Sequence, residues 1–206
     1  MNSIFIKMRD LLKYSFFFKN FKGIIGSNRL TRRYVEEYIK ANIGDHILDI
    51  GCGNGDILNF LPSGIFYNGI DTNSNYIEDA KKKFNGKGSF INDKFSKNLI
   101  RNYNNFDIVM ANGLLHHLTD DEATDLFVSS FETLKQGGRL ITIDGCYSLD
   151  NSKIVNLILK KDRGEFVRNK EDYFKLAKQT FKKIKISIRK DLLLIPYCHI
   201  IMECTK

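Results

Sequence analysis

The chain has 206 residues, 43% of them hydrophobic and 12% aromatic, with 32 Lys/Arg against 24 Asp/Glu for a formal net charge of +8. This composition suits one folded, soluble domain that buries roughly 70% of its unfolded surface. The longest apolar runs, 16–18 and 192–195, fall short of the roughly 20 residues of a membrane span and of a signal-peptide core, so the expected location is cytoplasmic.

The charge is uneven. Residues 1–40 hold nine Lys/Arg against three Asp/Glu, residues 41–150 nine against fifteen, and residues 151–206 fourteen against six. Basic flanks meeting over a site in the acidic middle would draw an anionic ligand there; a lysine-rich surface serving solubility is the alternative. Cys52, Cys146, Cys198 and Cys204 form no CxxC pair and no Cys/His cluster with metal spacing, so reduced, mostly buried thiols and no metal site are expected.

The first expected element is an amphipathic helix with Ile4, Phe5, Met8, Leu11, Leu12 and Phe16 on one stripe and Lys7, Arg9 and Lys13 elsewhere. It suits packing over the domain as a lid, or contact with a membrane surface. A second helix over about 28–41 has Leu30, Tyr34, Val35 and Tyr38 as its apolar face. From Asp45 onward short β-rich runs alternate with helical ones, the pattern of a parallel sheet covered on both sides. The predicted strands are 46–50, 65–70, 88–91, 106–111 and 139–143. Between the last two, Thr119 and Glu122 make a capping box, and a helix follows until Gly137 ends it. The tail adds helices near 152–159 and 170–180, then two strands, 184–189 and 197–204, close enough in sequence to pair as an antiparallel hairpin. The fold expected is therefore α/β: a Rossmann-like, mostly parallel seven-stranded sheet with one antiparallel strand, helices on both faces and extra N-terminal helices. A single domain is expected, with residues 1–42 as a helical lid, 43–145 as the cofactor-binding core, and 146–206 as acceptor-side helices and the terminal strand pair.

The stretch ILDIGCGNGD (47–56) places Gly51, Gly53 and Gly55 directly after the first strand. A strand, a glycine loop and a helix beginning near Asn54 would let a ligand approach bare backbone at a helix N-terminus. Asp71, at the end of the second strand, suits both hydroxyls of a ribose, as in a dinucleotide or another adenosine cofactor. The third glycine of a dinucleotide fingerprint is replaced by Asp56, whose carboxylate would repel a pyrophosphate, so a cofactor without phosphates fits better. A nicotinamide dehydrogenase is the weaker alternative. Asp49 could order the loop or meet a cationic amino group, and Asp93 could accept from an adenine amine.

These motifs, with GIDTNSNYIEDAKKKF (69–84), FINDKF (90–95), FDIVMANGLLHHL (106–118) and LKQGGRLITID (134–144), resemble in order the class I S-adenosylmethionine-dependent methyltransferases over about residues 30–145. The resemblance implies S-adenosyl-L-methionine as cofactor, held by Asp49, Gly51, Cys52, Gly53, Asp71, Thr72, Asp93, Lys94 and Asn112, and Arg32 or Arg33 is a candidate for its carboxylate. KKDRGEFVRNKEDY (160–173) and LLLIPYCHIIMEC (192–204) are similar to a bacterial subgroup with unassigned acceptors, some of them in glycan or secondary-metabolite pathways.

A sulfonium methyl needs in-line approach and exclusion of water more than covalent catalysis, although a hydroxyl acceptor gains from a base. His116, His117 and His199 are the candidate bases, and adjacent His116 and His117 cannot both face one pocket. Tyr147 and Asp144 follow the fifth strand toward the acceptor, and Arg163 and Arg168 suit an acceptor phosphate or carboxylate. Asn112-Gly113-Leu114-Leu115 departs from the Asn/Asp-Pro-Pro-aromatic motif of many base- and amide-nitrogen methyltransferases, which disfavours DNA adenine. The expected activity is methyl transfer to an oxygen or nitrogen of a small or glycan-like, anionic acceptor. RNA methylation through the basic flanks and a catalytically retired cofactor-binding regulator are the alternatives.

Overall fold

The computed structural model describes residues 26–96, 104–161 and 164–206. Strands β1 (His46–Ile50), β2 (Phe66–Asp71), β3 (Ser89–Asn92), β4 (Phe106–Asn112) and β5 (Leu134–Tyr147) pair in parallel. A two-residue β6 (Arg168–Asn169), not anticipated from the sequence, pairs with the end of β5. β7 (Lys183–Arg189) and β8 (His199–Thr205) form the expected hairpin, and β8 also pairs antiparallel with β5. The resulting order is β3-β2-β1-β4-β5-β8-β7. The chain builds outward from β1 in one direction and then returns to its other side with β4. The crevice outside the carboxyl ends of β1 and β4 is thus the topological switch point, where open α/β sheets bind ligands.

Alternation along the strands divides the core in two. Leu48, Ile50, Val109, Ala111 and Leu140 face one side of the sheet, while Ile47, Ile108, Met110, Ile141 and Ile201 face the other. The first side is covered by α3 (Asp120–Thr133), α4 (Lys153–Lys161) and α5 (Lys170–Lys178), through buried Phe127, Leu159 and Tyr173 among others. The second is covered by α1 (Ser27–Tyr34), whose path continues as one π turn (Val35–Ile39), and by α2 (Ser74–Lys83). The apolar face expected for the second helix is the one packed inward, with Tyr34, Val35, Tyr38 and Ile39 buried. Arg139 donates to the carbonyls of Tyr38 and Ile39 at 3.1 and 2.7 Å, satisfying groups the helix end leaves open.

Two local expectations are corrected. The glycine loop does not open an α-helix: only a 3-10 turn, Asp56–Asn59, follows it. Pro62 stands seven residues after Gly55 and disfavours helix in the residue before it, leaving too little chain for more than a turn. The helix begun by the capping box ends at Thr133 rather than at Gly137. Leu134 is already extended and pairs with Phe106, so β5 starts five residues earlier than predicted. Burial of Leu134 in the core outweighs continued helix. The capping box itself is present, with Glu122 N–H donating to Thr119 Oγ1 and Thr119 N–H to the Glu122 carboxylate. The N-terminal amphipathic helix and Arg163 fall outside the described residues. No described helix is long and apolar enough to cross a membrane.

Candidate active site

Gly51 follows β1 with φ +73, and a Cβ there would stand 3.4 Å from the Leu114 side chain. Its left-handed backbone and missing side chain open the crevice at the point where two clefts meet. The larger, about 740 Å³, lies on the α3 side and is lined by Gly51, Asp71, Thr72, Asp93, Lys94 and His117, with an apolar wall that includes Phe95, Leu114 and Leu118. The smaller, about 260 Å³, lies on the α1 side, where Tyr34, Asp49, Cys52, Gly53 and Asn112 join Gly51.

The loop's N–H groups are turned inward. Gly51 and Cys52 N–H both donate to the Ile70 carbonyl (2.8 and 3.1 Å), and Gly55 N–H to that of Cys52 (3.0 Å). Gly53 N–H donates to Asp71 Oδ2 at 2.9 Å, and Asn73 N–H to Asp71 Oδ1 at 2.8 Å. The expectation that a ligand would rest on free N–H groups at a helix start is therefore not met; the glycines supply room and curvature. Each Asp71 oxygen keeps a second lone pair for an outside donor, so this carboxylate both orders the loop and faces the larger cleft. Asp93 is exposed at the cleft, with its Oδ1 accepting from Lys94 N–H, and Lys94 Nζ is 3.4 Å from Glu122.

Asp49 does not order the loop. Its Oδ2 accepts from the Tyr67 hydroxyl at 2.6 Å and its Oδ1 from Asn112 Nδ2 at 3.4 Å. Burial pushes its carboxyl up to about 7, with the Tyr67 hydroxyl opposing and the nearby Asp71 charge adding. Above it, Tyr34 is 2% exposed. The Tyr34 hydroxyl and Asn112 Oδ1 are buried without a hydrogen-bond partner. Unpaired buried polar atoms around an acid are a standing cost that a polar, cationic occupant would relieve. Sequence reading took Tyr34 only as part of an apolar face. A signal for the acid's partner was present: Asp49 pairs in register with Gly69, so Tyr67, two residues earlier on β2, shares its face. Cys52 turns its thiol toward Gly69, and burial pushes that thiol up, which makes it unreactive.

The two adjacent histidines separate as expected. His117 is exposed into the larger cleft. His116 is buried behind it, its Nδ1 2.8 Å from Asp144 Oδ1 and its ring 4.2 Å from that of His117. Burial raises the Asp144 carboxyl while the His116 contact opposes the rise. Arg168 is also buried, and its guanidinium donates five hydrogen bonds: two to Asp120 Oδ1 and one each to the carbonyls of Leu115, Leu118 and Phe166. All five of its N–H groups are thereby used, and it clamps the histidine-bearing loop to the tail. His199 is buried on β8 with its ring 4.6 Å from that of Tyr197. His199 and the half-buried Tyr147 line neither cleft, and Arg32 is exposed over the Phe60 ring at 5.8 Å.

A family model described as "Methyltransferase domain" matches residues 47–138, which hold β1 through the start of β5 and both clefts' glycine hinge. That match supports a class I S-adenosylmethionine-dependent methyltransferase. Among curated relatives, phosphoethanolamine N-methyltransferase 1 of Zea mays is 25% identical over 182 residues, covering 86% of this chain and 36% of the relative. The phosphoethanolamine N-methyltransferase of Plasmodium falciparum is 28% identical over 138 residues, covering 65% and 51%. The chain thus spans about a third to a half of the length of these relatives. A TehB-like methyltransferase structure from Corynebacterium glutamicum superposes with a TM-score of 0.66 at 16% identity, covering 94% of this chain and 97% of that one, and so shares its fold.

Proposed function

We propose that this chain transfers the methyl group of S-adenosyl-L-methionine to an oxygen or nitrogen of a small, anionic acceptor. The observation that carries the reading is the pair of clefts meeting at Gly51, one holding a buried acid beside unpaired Tyr34 and Asn112 atoms, the other a carboxylate at the end of β2 beside an apolar wall. Those residues fit the cofactor's parts: Asp49, Tyr34 and Asn112 suit its charged amino-acid end, Asp71 its sugar hydroxyls, and Asp93 with Phe95 its base. When bound, the cofactor supplies a sulfonium methyl already activated toward nucleophiles.

The protein's part is to orient, to exclude water and to handle one proton. Leu114 and Leu118 wall the larger cleft and keep the reacting region dry. His117 is positioned to take the proton of an acceptor hydroxyl or amine, and His116, held by Asp144, fixes the loop that carries it. The anionic acceptor is supported by the excess of Lys/Arg in residues 151–206 and by the acceptor named for the maize and Plasmodium relatives.

Calorimetry with S-adenosylmethionine and S-adenosylhomocysteine, followed by a methyl-transfer assay over acceptors that include phosphoethanolamine, tests the reading. Micromolar cofactor affinity and one methylated acceptor class are expected; folded protein that binds neither cofactor form overturns it. His117→Ala should cut turnover about 10²–10⁴-fold while cofactor affinity changes little, separating proton handling from binding.

A further inference from the structure

Helix α4 does not divide its faces as a helix packed on one side of a domain does. Val155 and Leu159 are buried in the core, yet Ile154 and Leu157 are 62% and 53% exposed, and Leu149, in the turn leaving β5, is fully exposed. At about 100° per residue, Leu157, Ile154 and Ile158 form one arc beside the buried pair, where a helix bathed only in water carries polar residues. Lys153 and Lys160 border that arc and Lys161 lies within it. These three lysines have no hydrogen bond or ion pair among the described residues. Protruding aliphatic chains flanked and interspersed with lysines are the composition of a helix that lies in the interface of an anionic membrane.

We propose that α4 and the Leu149 turn dock the protein on an anionic lipid bilayer. Leu149, Ile154 and Leu157 enter the boundary between headgroups and acyl chains, and Lys153, Lys160 and Lys161 meet the lipid phosphates. A second copy is the poorer occupant, because a two-fold contact through this patch brings the same lysines against one another. An acidic protein partner would match the lysines, but side chains that project from a convex helix offer it no groove, whereas a bilayer accepts them one by one. Leu149 follows the carboxyl end of β5, the end of the sheet at which both clefts open. Docking therefore sets the acceptor side of the molecule near the lipid surface. The inference is independent of which acceptor is methylated.

Cosedimentation of the 206-residue chain with vesicles of phosphatidylcholine, with and without phosphatidylglycerol, tests it. Binding to the phosphatidylglycerol vesicles that weakens as salt rises is expected. Ile154→Asp with Leu157→Asp should lower the partition coefficient at least tenfold, and Lys153→Glu with Lys160→Glu and Lys161→Glu by about tenfold or more. Phe66→Asp, exposed at the opposite end of the sheet, should bind as the unmodified chain does. The lysine variant keeps the test open should the aspartates lower the melting temperature. Three results overturn the proposal: no binding to anionic vesicles; unchanged binding by both α4 variants; or a dimer in sedimentation velocity that Ile154→Asp with Leu157→Asp dissociates.

Discussion

Asp49 carries a conflict that water would otherwise resolve. Its carboxyl is 2% exposed, and burial raises it from 3.8 to about 7. The folded protein therefore holds that proton between pH 4 and pH 7, where the unfolded chain has released it. More protons bound in the folded state means that stability falls as pH rises through this window and levels off above it. Asp49→Asn should remove the fall and make the protein more stable than the parent at pH 8, by roughly 2–4 kcal/mol, as thermal melts across pH would measure. The same acid faces the cleft assigned to the cofactor's cationic end. Calorimetric affinity for S-adenosylmethionine should accordingly weaken about tenfold between pH 8 and pH 6, and Asp49→Asn should abolish that dependence while binding more weakly. Asp71 acts differently, since it holds two backbone N–H groups as well as the proposed sugar. Asp71→Ala should lower cofactor affinity at least tenfold and cost about 1–2 kcal/mol of stability through the two donors left open. Both carboxylates stood out in the sequence because an acid at the end of each of two β-rich runs is visible without coordinates. That Asp71 rather than Asp49 ties the glycine loop was not visible, because it depends on which strand end the loop curls against.

The loop from Gly113 to Thr119 shows how a tail element reaches the chemistry. Its 3-10 turn, Leu115–His117, donates nothing to a regular ladder, so its shape is set from outside, by Asp144 on β5 and by Arg168 on β6. Phe166 N–H also donates to the His116 carbonyl at 2.9 Å, and a Cβ at Gly164 would collide with His116. Removing the guanidinium leaves three carbonyls with one donor fewer in a region where Arg168 is 7% exposed. Arg168→Ala should destabilise the protein by roughly 2–4 kcal/mol in chemical denaturation, and Arg168→Lys should recover only part of this, since one ammonium cannot span the fork. Turnover should fall with cofactor affinity nearly kept, because Arg168 touches the histidine loop and not the clefts. Sequence reading favoured Arg168 for an acceptor anion, since nothing local to its segment reveals partners some 50 residues away. The elements that were legible share one property, a period or cap written within a few residues, as in α3 at Thr119 and β7 with its alternating isoleucines. Those misread, the turn after Gly55 and the early start of β5, are decided by Pro62 and by the pairing of Leu134 with Phe106.

The mostly parallel sheet and its terminal antiparallel pair followed from the alternation of β and α segments and the close spacing of the last two strands, while the order of the strands is seen only in the fold. What that reading could not supply is how α1 is held over the sheet. Charged groups from opposite ends of the chain meet there. Arg33 pairs with Glu37 at 2.8 Å and with Asp191 at 2.6 Å, and Arg189 pairs with Glu37 and with Asp191 while donating to the Tyr38 hydroxyl at 2.7 Å. The network joins the helix bearing Tyr34 to the turn between β7 and β8, and Gly26 allows Leu194 of that turn to pack against the start of α1. The two arginines hold the Asp191 carboxyl well below the usual carboxylate range. Partial exposure of Glu37 and Asp191 lets water and salt screen the pairs, so Arg189→Ala should cost only about 1 kcal/mol, a melting-point drop of about 2–4 °C for a chain of this length. Its larger consequence is local. With Tyr34 on the loosened helix, amide exchange over 27–39 should quicken and cofactor affinity should fall several-fold, while exchange in β4 and β5 stays as it was. High salt should reproduce part of this in the unmodified chain and add less to Arg189→Ala, where only the Arg33 pairs with Glu37 and Asp191 remain to be screened.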